Sequence, residues 1–195
     1  MKLAILYART GPCRGPLLTQ TRRQMLRQGW QRLYPNRPFP GGEVEYTAQG
    51  QPYLPGGDMS CSFSHAPGVS VLACAPTGRI GVDLAHTSEA GLAAQLDNSF
   101  FTSTEQLAIS QGFFTPLQLW TRKEAVLKAA GGGLLLAPAQ AEVANDSCRL
   151  LGHTYLLYSA KLLAAYELSF ALAFPRWPLE PVAWETTEVS RFQQP

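Results

Sequence analysis

Apolar residues recur along this chain in two rhythms. Over 17–34 they return every three or four positions, as Leu18, Met25, Leu26, Trp30 and Leu33, with Arg22, Arg23, Arg27 and Arg32 between them. That spacing collects the apolar set on one side of a helix, and Pro35-Asn36-Arg37-Pro38 ends it. Leu117, Trp120, Glu124 and Leu127 share a face in the same way, and Gly131-Gly132-Gly133 stops that second helix. Shorter helices are predicted over 88–96 and 102–111, the latter with Thr102 or Ser103 as N-cap and Glu105 in its first turn. Elsewhere short apolar or alternating runs predict strands at 2–7, 43–47, 60–64, 69–75, 79–84, 141–145, 148–151, 154–159 and 166–174. Turns at Ala66-Pro67-Gly68 and Pro76-Thr77-Gly78 make the middle three strands an antiparallel meander, and 49–57 reads as a loop. The tail from Pro175, rich in Pro and Trp, is expected to lie over the surface.

A basic helix preceding mainly β segments occurs twice, around Arg22–Arg27 and around Arg122–Lys128. The expected fold is therefore α+β, with two similar, pseudo-duplicated lobes at 1–78 and 79–195. Each is a helix packed on a mainly antiparallel sheet, with a ligand cleft between them.

Two carboxylates break the pattern. Glu124 occupies a slot where the helical period asks for Leu. An i,i+4 pair with Lys128 on a solvated face would account for it, at a few tenths of a kcal/mol. Asp83 interrupts the apolar run Ile80-Gly81-Val82-Asp83-Leu84, where a carboxylate needs cations or donors to offset burial. Mg²⁺ is one solution, since it takes one or two protein carboxylates together with phosphate oxygens and waters. The arginines crowding the first fifth of the chain are either a solvated face or an anion site.

Composition narrows the classes. A chain of 195 residues, 46% of them hydrophobic, can bury a proper core. The net charge of +2 does not argue for nucleic acid or an anionic membrane. Cys13, Cys61, Cys74 and Cys148 are scattered, without C-x-x-C or a His at ligand spacing, so neither zinc nor a disulfide framework is expected. No run reaches signal or membrane-spanning length, and the expected address is cytoplasmic.

Gly81-Val82-Asp83-Leu84 followed by Trp120-Thr121-Arg122-Lys123-Glu124-Ala125-Val126-Leu127-Lys128 resembles the signature of the 4′-phosphopantetheinyl transferase superfamily. Gly50-Gln51-Pro52-Tyr53-Leu54 and Ser62-Phe63-Ser64-His65 resemble two further blocks of its larger, surfactin-type branch, of which this would be a short member. The four blocks stand in the family's order. The resemblance implies transfer of the phosphopantetheine arm from coenzyme A to a serine of an acyl or peptidyl carrier protein, by a monomeric holo-carrier synthase. It implies Asp83 and Glu124 as ligands of Mg²⁺ (or Mn²⁺), with Glu124 or a metal-bound water as base. Lys128 would stabilise pyrophosphate charge, and Lys123 would be an auxiliary phosphate contact. Ser64, His65 and a helical arginine (Arg23 by spacing, with Arg22 close behind) would hold the nucleotide end, and Gln51 and Pro52 would line the adenine side. Phe113 and Phe114, with Arg122 as a nearby charge, would meet the carrier or else belong to the core. Two positions depart from the family: Ala85 stands where the larger branch has a second carboxylate, leaving that place to a water, and Gln51 stands where Lys is common. Both departures favour the alternative of a degenerate, non-catalytic paralogue that binds coenzyme A or carrier proteins.

Overall fold

The computed structural model describes residues 3–11, 16–41, 44–48, 51–56, 58–96, 99–131, 136–174 and 186–188. Its first half runs β1 (Ala4–Gly11), α1 (Pro16–Leu33), β2 (Glu45–Tyr46), β3 (Pro52–Tyr53), β4 (Ser60–Ala66) and β5 (Gly68–Ala75). Next come β6 (Arg79–His86), a 3₁₀ turn (Thr87–Glu89), α2 (Ala90–Ala93), α3 (Ser103–Ser110) and α4 (Pro116–Ala130). After a second 3₁₀ turn (Pro138–Gln140) the chain adds β7 (Ser147–Leu150), β8 (His153–Leu162), β9 (Tyr166–Ala173) and β10 (Thr186–Glu188).

The strands form two sheets, in the orders β10-β1-β5-β4-β3-β2 and β6-β9-β8-β7. Every pairing is antiparallel except β1 with β10, so the last described strand returns to the first sheet. The α+β architecture with two similar lobes is thus realised. Met25, Leu26 and Trp30 of α1 pack on Ala4, Leu6, Leu72 and Cys74 of the first sheet. Leu119, Val126 and Ala129 of α4 pack on Tyr155, Leu157, Ala171 and Ala173 of the second. The faces turned away from the helices meet each other: Ile5, Val69, Val71 and Ala73 on one side, Val82, Leu84, Leu168 and Phe170 on the other. Alternate residues of β5, β6 and β9 thus enter different cores, which is why these strands read as continuous apolar runs. Among the described residues no helix is long and apolar enough to cross a membrane.

Four expectations change. The meander splits, because β6 leaves β5 and pairs with β9 along its whole length. Pro52–Tyr53, expected as loop, is a strand pairing with both β2 and β4. The run 141–145 alternates like a strand but joins no sheet. The carbonyls of Ala141, Val143 and Asn145 accept from the side chains of Lys123 and Arg122 instead. The predicted helix 88–96 is also shortened to a 3₁₀ turn and α2.

Helix α4 is set by its ends. Thr115 caps the N-terminus in a reciprocal box with Gln118, Pro116 occupies the first turn, and Gly131 leaves the helix at φ 75°. Its closest approach is to β6. A Cβ added at Gly81 would lie 2.0 Å from the Ala125 carbonyl oxygen and 2.5 Å from the Ala129 nitrogen. Both obstacles are helix backbone, so no side-chain rotation relieves them. Gly81→Ala should cost about 2–3 kcal/mol, the range for overpacking, read as a lower midpoint in urea unfolding. If the variant keeps wild-type stability, α4 does not rest on β6 as described.

Candidate functional site

β6 and α4 cross where three predicted residues meet. Asp83 is 7% exposed on β6 and shares the face of Gly81 that α4 covers. Glu124 and Lys128 lie one turn apart on α4. Lys128 Nζ donates to Asp83 Oδ1 at 2.6 Å, to Ser64 Oγ at 3.2 Å and to the Val82 carbonyl at 3.2 Å. Ser64 Oγ in turn donates to Asp83 Oδ1 at 2.8 Å. Asp83 Oδ1 therefore carries two donors, while Oδ2 has no hydrogen bond among the described residues.

Glu124 is half-buried and makes no hydrogen bond or ion pair among the described residues. Burial pushes its carboxyl up from the ordinary value, the neighbouring Asp83 charge adds to this, and Lys128 opposes it. Two adjacent carboxylates, one raised and unpartnered, form a site that a cation would relieve. The described residues hold no cluster of three or more acidic, His or Cys side chains. What they hold fits an ion that takes two carboxylates and completes its shell with phosphate oxygens and water, as Mg²⁺ does. Ala85, next on the same face, is buried with Ala93, Leu117 and the half-buried Trp120, so that flank of the site is apolar.

A cavity of about 210 Å³ is lined by Arg22, Gln51, Pro52, Phe63, Ile80 and by Lys128, which also pairs with Asp83. The Arg22 guanidinium lies over the Phe63 ring, 5.5 Å from its centroid. Arg22 and Lys128 therefore present two cations to one space. Thus Arg22, Gln51, Pro52 and Lys128 line this cavity. Arg23, the arginine that spacing favoured, is exposed and does not line it. His65 is exposed too, on the side of β4 away from Asp83. Gln51 meets the cavity with its amide already engaged: Nε2 donates to the Lys128 and Ala129 carbonyls at 2.9 and 3.3 Å, satisfying the end of α4.

Lys123 lies apart from the other predicted residues. It is fully buried and pairs with Glu105 Oε2 at 2.7 Å, with Nζ also donating to the carbonyls of Pro138 and Ala141 at 3.0 and 2.5 Å. It does not line the cavity. Adjacent residues on a helix point about 100° apart, so with Glu124 facing the cleft Lys123 enters the core behind α4. Arg122 is likewise no surface charge. Its Nε donates to Val143 O at 2.8 Å, its guanidinium also bonds Asn145 O and Ser159 Oγ, and it lies under Phe114. Phe114 packs against the core while Phe113 is exposed. Sequence reasoning missed Ser62, whose Oγ accepts from Val82 N at 3.1 Å. It also missed the partner of Glu105. The available signal was Ser62-x-Ser64, two hydroxyls on one strand face.

Residues 79–170 match the family model of the 4′-phosphopantetheinyl transferase superfamily. Over this stretch the chain is similar to that superfamily. Phosphopantetheinyl transferases move phosphopantetheine to carrier proteins and use coenzyme A as substrate, and the match supports a transferase here. The matched segment holds Asp83, Glu124 and Lys128, whereas Arg22, Gln51, Pro52 and Ser64 precede it. Comparison with curated proteins finds no match.

The raised Glu124 carboxyl makes a prediction for the metal-free transferase. A carboxyl raised on folding favours the folded state fully below its unfolded value, and that contribution is lost as pH rises through the folded value. Glu124→Gln removes the titration. The variant should therefore be more stable than the parent at neutral pH, with the advantage shrinking as pH falls toward about 4. Urea unfolding at several pH values without divalent ions measures this, and a pH-independent difference would contradict it.

Proposed function

We propose that the protein transfers the 4′-phosphopantetheine group of coenzyme A to a serine of an acyl or peptidyl carrier protein, with Mg²⁺ dependence, as a short member of the surfactin-type branch. The observation that supports it best is the meeting of Asp83, Glu124 and Lys128 beside a cavity with a second cation, Arg22. Asp83 and Glu124 would hold the ion, which when bound neutralises pyrophosphate charge and orients the phosphorus for in-line attack. Lys128 reaches both Asp83 and the cavity, so its ammonium can move from the carboxylate to the charge building on the leaving pyrophosphate. Arg22 would take the nucleotide end, stacked on Phe63. Pro52 and Gln51 would form the far wall, Gln51 by shape, since its amide is engaged. The carrier serine would give its proton to Glu124 or to a metal-bound water. The lobes 1–78 and 79–195 would act as one monomeric, cytoplasmic unit around this cleft.

Binding without transfer is the second reading, favoured by Ala85 and by the engaged amide of Gln51. Incubation with coenzyme A, Mg²⁺ and a panel of apo-carriers separates the two, because transfer adds the phosphopantetheine mass to a carrier and binding adds nothing. Asp83→Ala and Glu124→Ala should each lower turnover at least ~100-fold with an unchanged circular dichroism spectrum, since one carboxylate holds Mg²⁺ poorly. Near-parental turnover by either variant at limiting Mg²⁺ would remove the assignment.

A further inference from the structure

Ser64 belongs to the first sheet and Asp83 to the second, yet the Ser64 hydroxyl, like Lys128, bonds the carboxylate. A serine hydroxyl has one proton to donate and two lone pairs to accept with. In this protein all three are committed. The proton goes to Asp83 Oδ1 at 2.8 Å, and the lone pairs receive Leu84 N at 3.2 Å and Lys128 Nζ at 3.2 Å. The hydroxyl is buried, and no bonding capacity is left for a nucleotide phosphate.

Ser62, two residues earlier on the same face, makes only the backbone contact, accepting from Val82 N. The pair closes a seam along β6. That strand is an edge of the second sheet, and the two hydroxyls take the N–H groups of Val82 and Leu84 that a further strand would otherwise bond. Only Ser64 extends the seam to Asp83 and Lys128.

We propose that Ser64 is a positioning residue, and not a coenzyme A contact: across the two sheets it turns Asp83 so that Oδ1 is shared with Lys128 and Oδ2 is left for the cation. The proposal rests on the phosphopantetheinyl transfer reading for its functional meaning, but its geometry is tested without turnover. Ser64→Ala, Ser64→Thr and Ser62→Ala are compared with the parent protein. The readouts are the ¹³Cγ shift of Asp83 in the metal-free protein, Mg²⁺ affinity by calorimetry in the presence of coenzyme A, and the affinities for coenzyme A and dephospho-coenzyme A.

Ser64→Ala should move the Asp83 signal and weaken Mg²⁺ at least ~10-fold, the usual effect of losing a group that orients a metal ligand. The ratio of coenzyme A to dephospho-coenzyme A affinity should stay unchanged, and Ser64→Thr, which keeps the hydroxyl, should restore the Asp83 signal. Ser62→Ala should lower the melting temperature through the one bond from Val82 N that it loses, without moving the Asp83 signal. The proposal is overturned if Ser64→Ala leaves the Asp83 signal in place, if it lowers coenzyme A affinity selectively over dephospho-coenzyme A, or if Ser62→Ala has the same effect on Asp83. Absence of transfer by the parent protein, with the Asp83 shift as expected, would sink the functional reading and leave the positioning role standing.

Discussion

Helix α4 lies directly on the backbone of β6, and most of the site follows from that contact. With Gly81 offering no side chain, the helix settles against the strand at the level of Ala125 and Ala129. Its rotation is fixed by what must go behind it. Arg122 and Lys123 turn inward, where the carbonyls of 138–145 and the Glu105 carboxylate receive them. Glu124 and Lys128 are then left on the side of Asp83. The dry Lys123–Glu105 pair does little for stability compared with an apolar pair of the same size, yet it leaves a costly buried charge if either member is removed. Its value is orientation: an ammonium with three protons and three fixed acceptors tolerates few other positions of the helix.

The two sheets are held differently from the helix. Between them lies an apolar layer, and along their shared border runs the pair of serine hydroxyls. A neutral hydrogen bond contributes about 1 kcal/mol, and a fully buried Val, Leu or Phe contributes about 1.5–3 kcal/mol. Adhesion therefore comes from Ile5, Val71, Val82 and Phe170 and their neighbours. Apolar contact has no preferred register, however, and it is the hydroxyls that set β4 against β6 residue by residue.

Much of this was legible beforehand, for definite reasons. Both long helices announce themselves by period, and Asp83 and Glu124 stand out because each is a charge in an apolar slot. Lys128 follows from Glu124, four residues on. What was not legible depended on partners far along the chain. Lys123 looks like any solvated lysine until the acceptors at Pro138 and Ala141 are folded behind it. The division of the expected meander between two sheets could not be read either, since β5 and β6 are largely apolar runs buried on both faces. Once β6 moves to β9, Ser62 and Ser64 gain a backbone edge to bond, and the role of Ser64 changes with it. His65, next in sequence, falls on the opposite side and stays in solvent.

The return of β10 to β1 bears on how the molecule comes apart. The chain begins in the first sheet, builds the whole of the second, and then adds Thr186–Glu188 beside Ile5–Tyr7. The second sheet is thus an excursion closed at both ends, and among the described residues its inner face, with Ile80, Val82, Leu84, Leu168, Phe170 and Leu172, packs against the first. Cut at either border, each half would present a wide apolar sheet face to water together with the bare N–H edge of β6. Such surfaces aggregate instead of persisting. The two halves, alike in architecture, therefore depend on each other for cover, and neither is expected to persist alone.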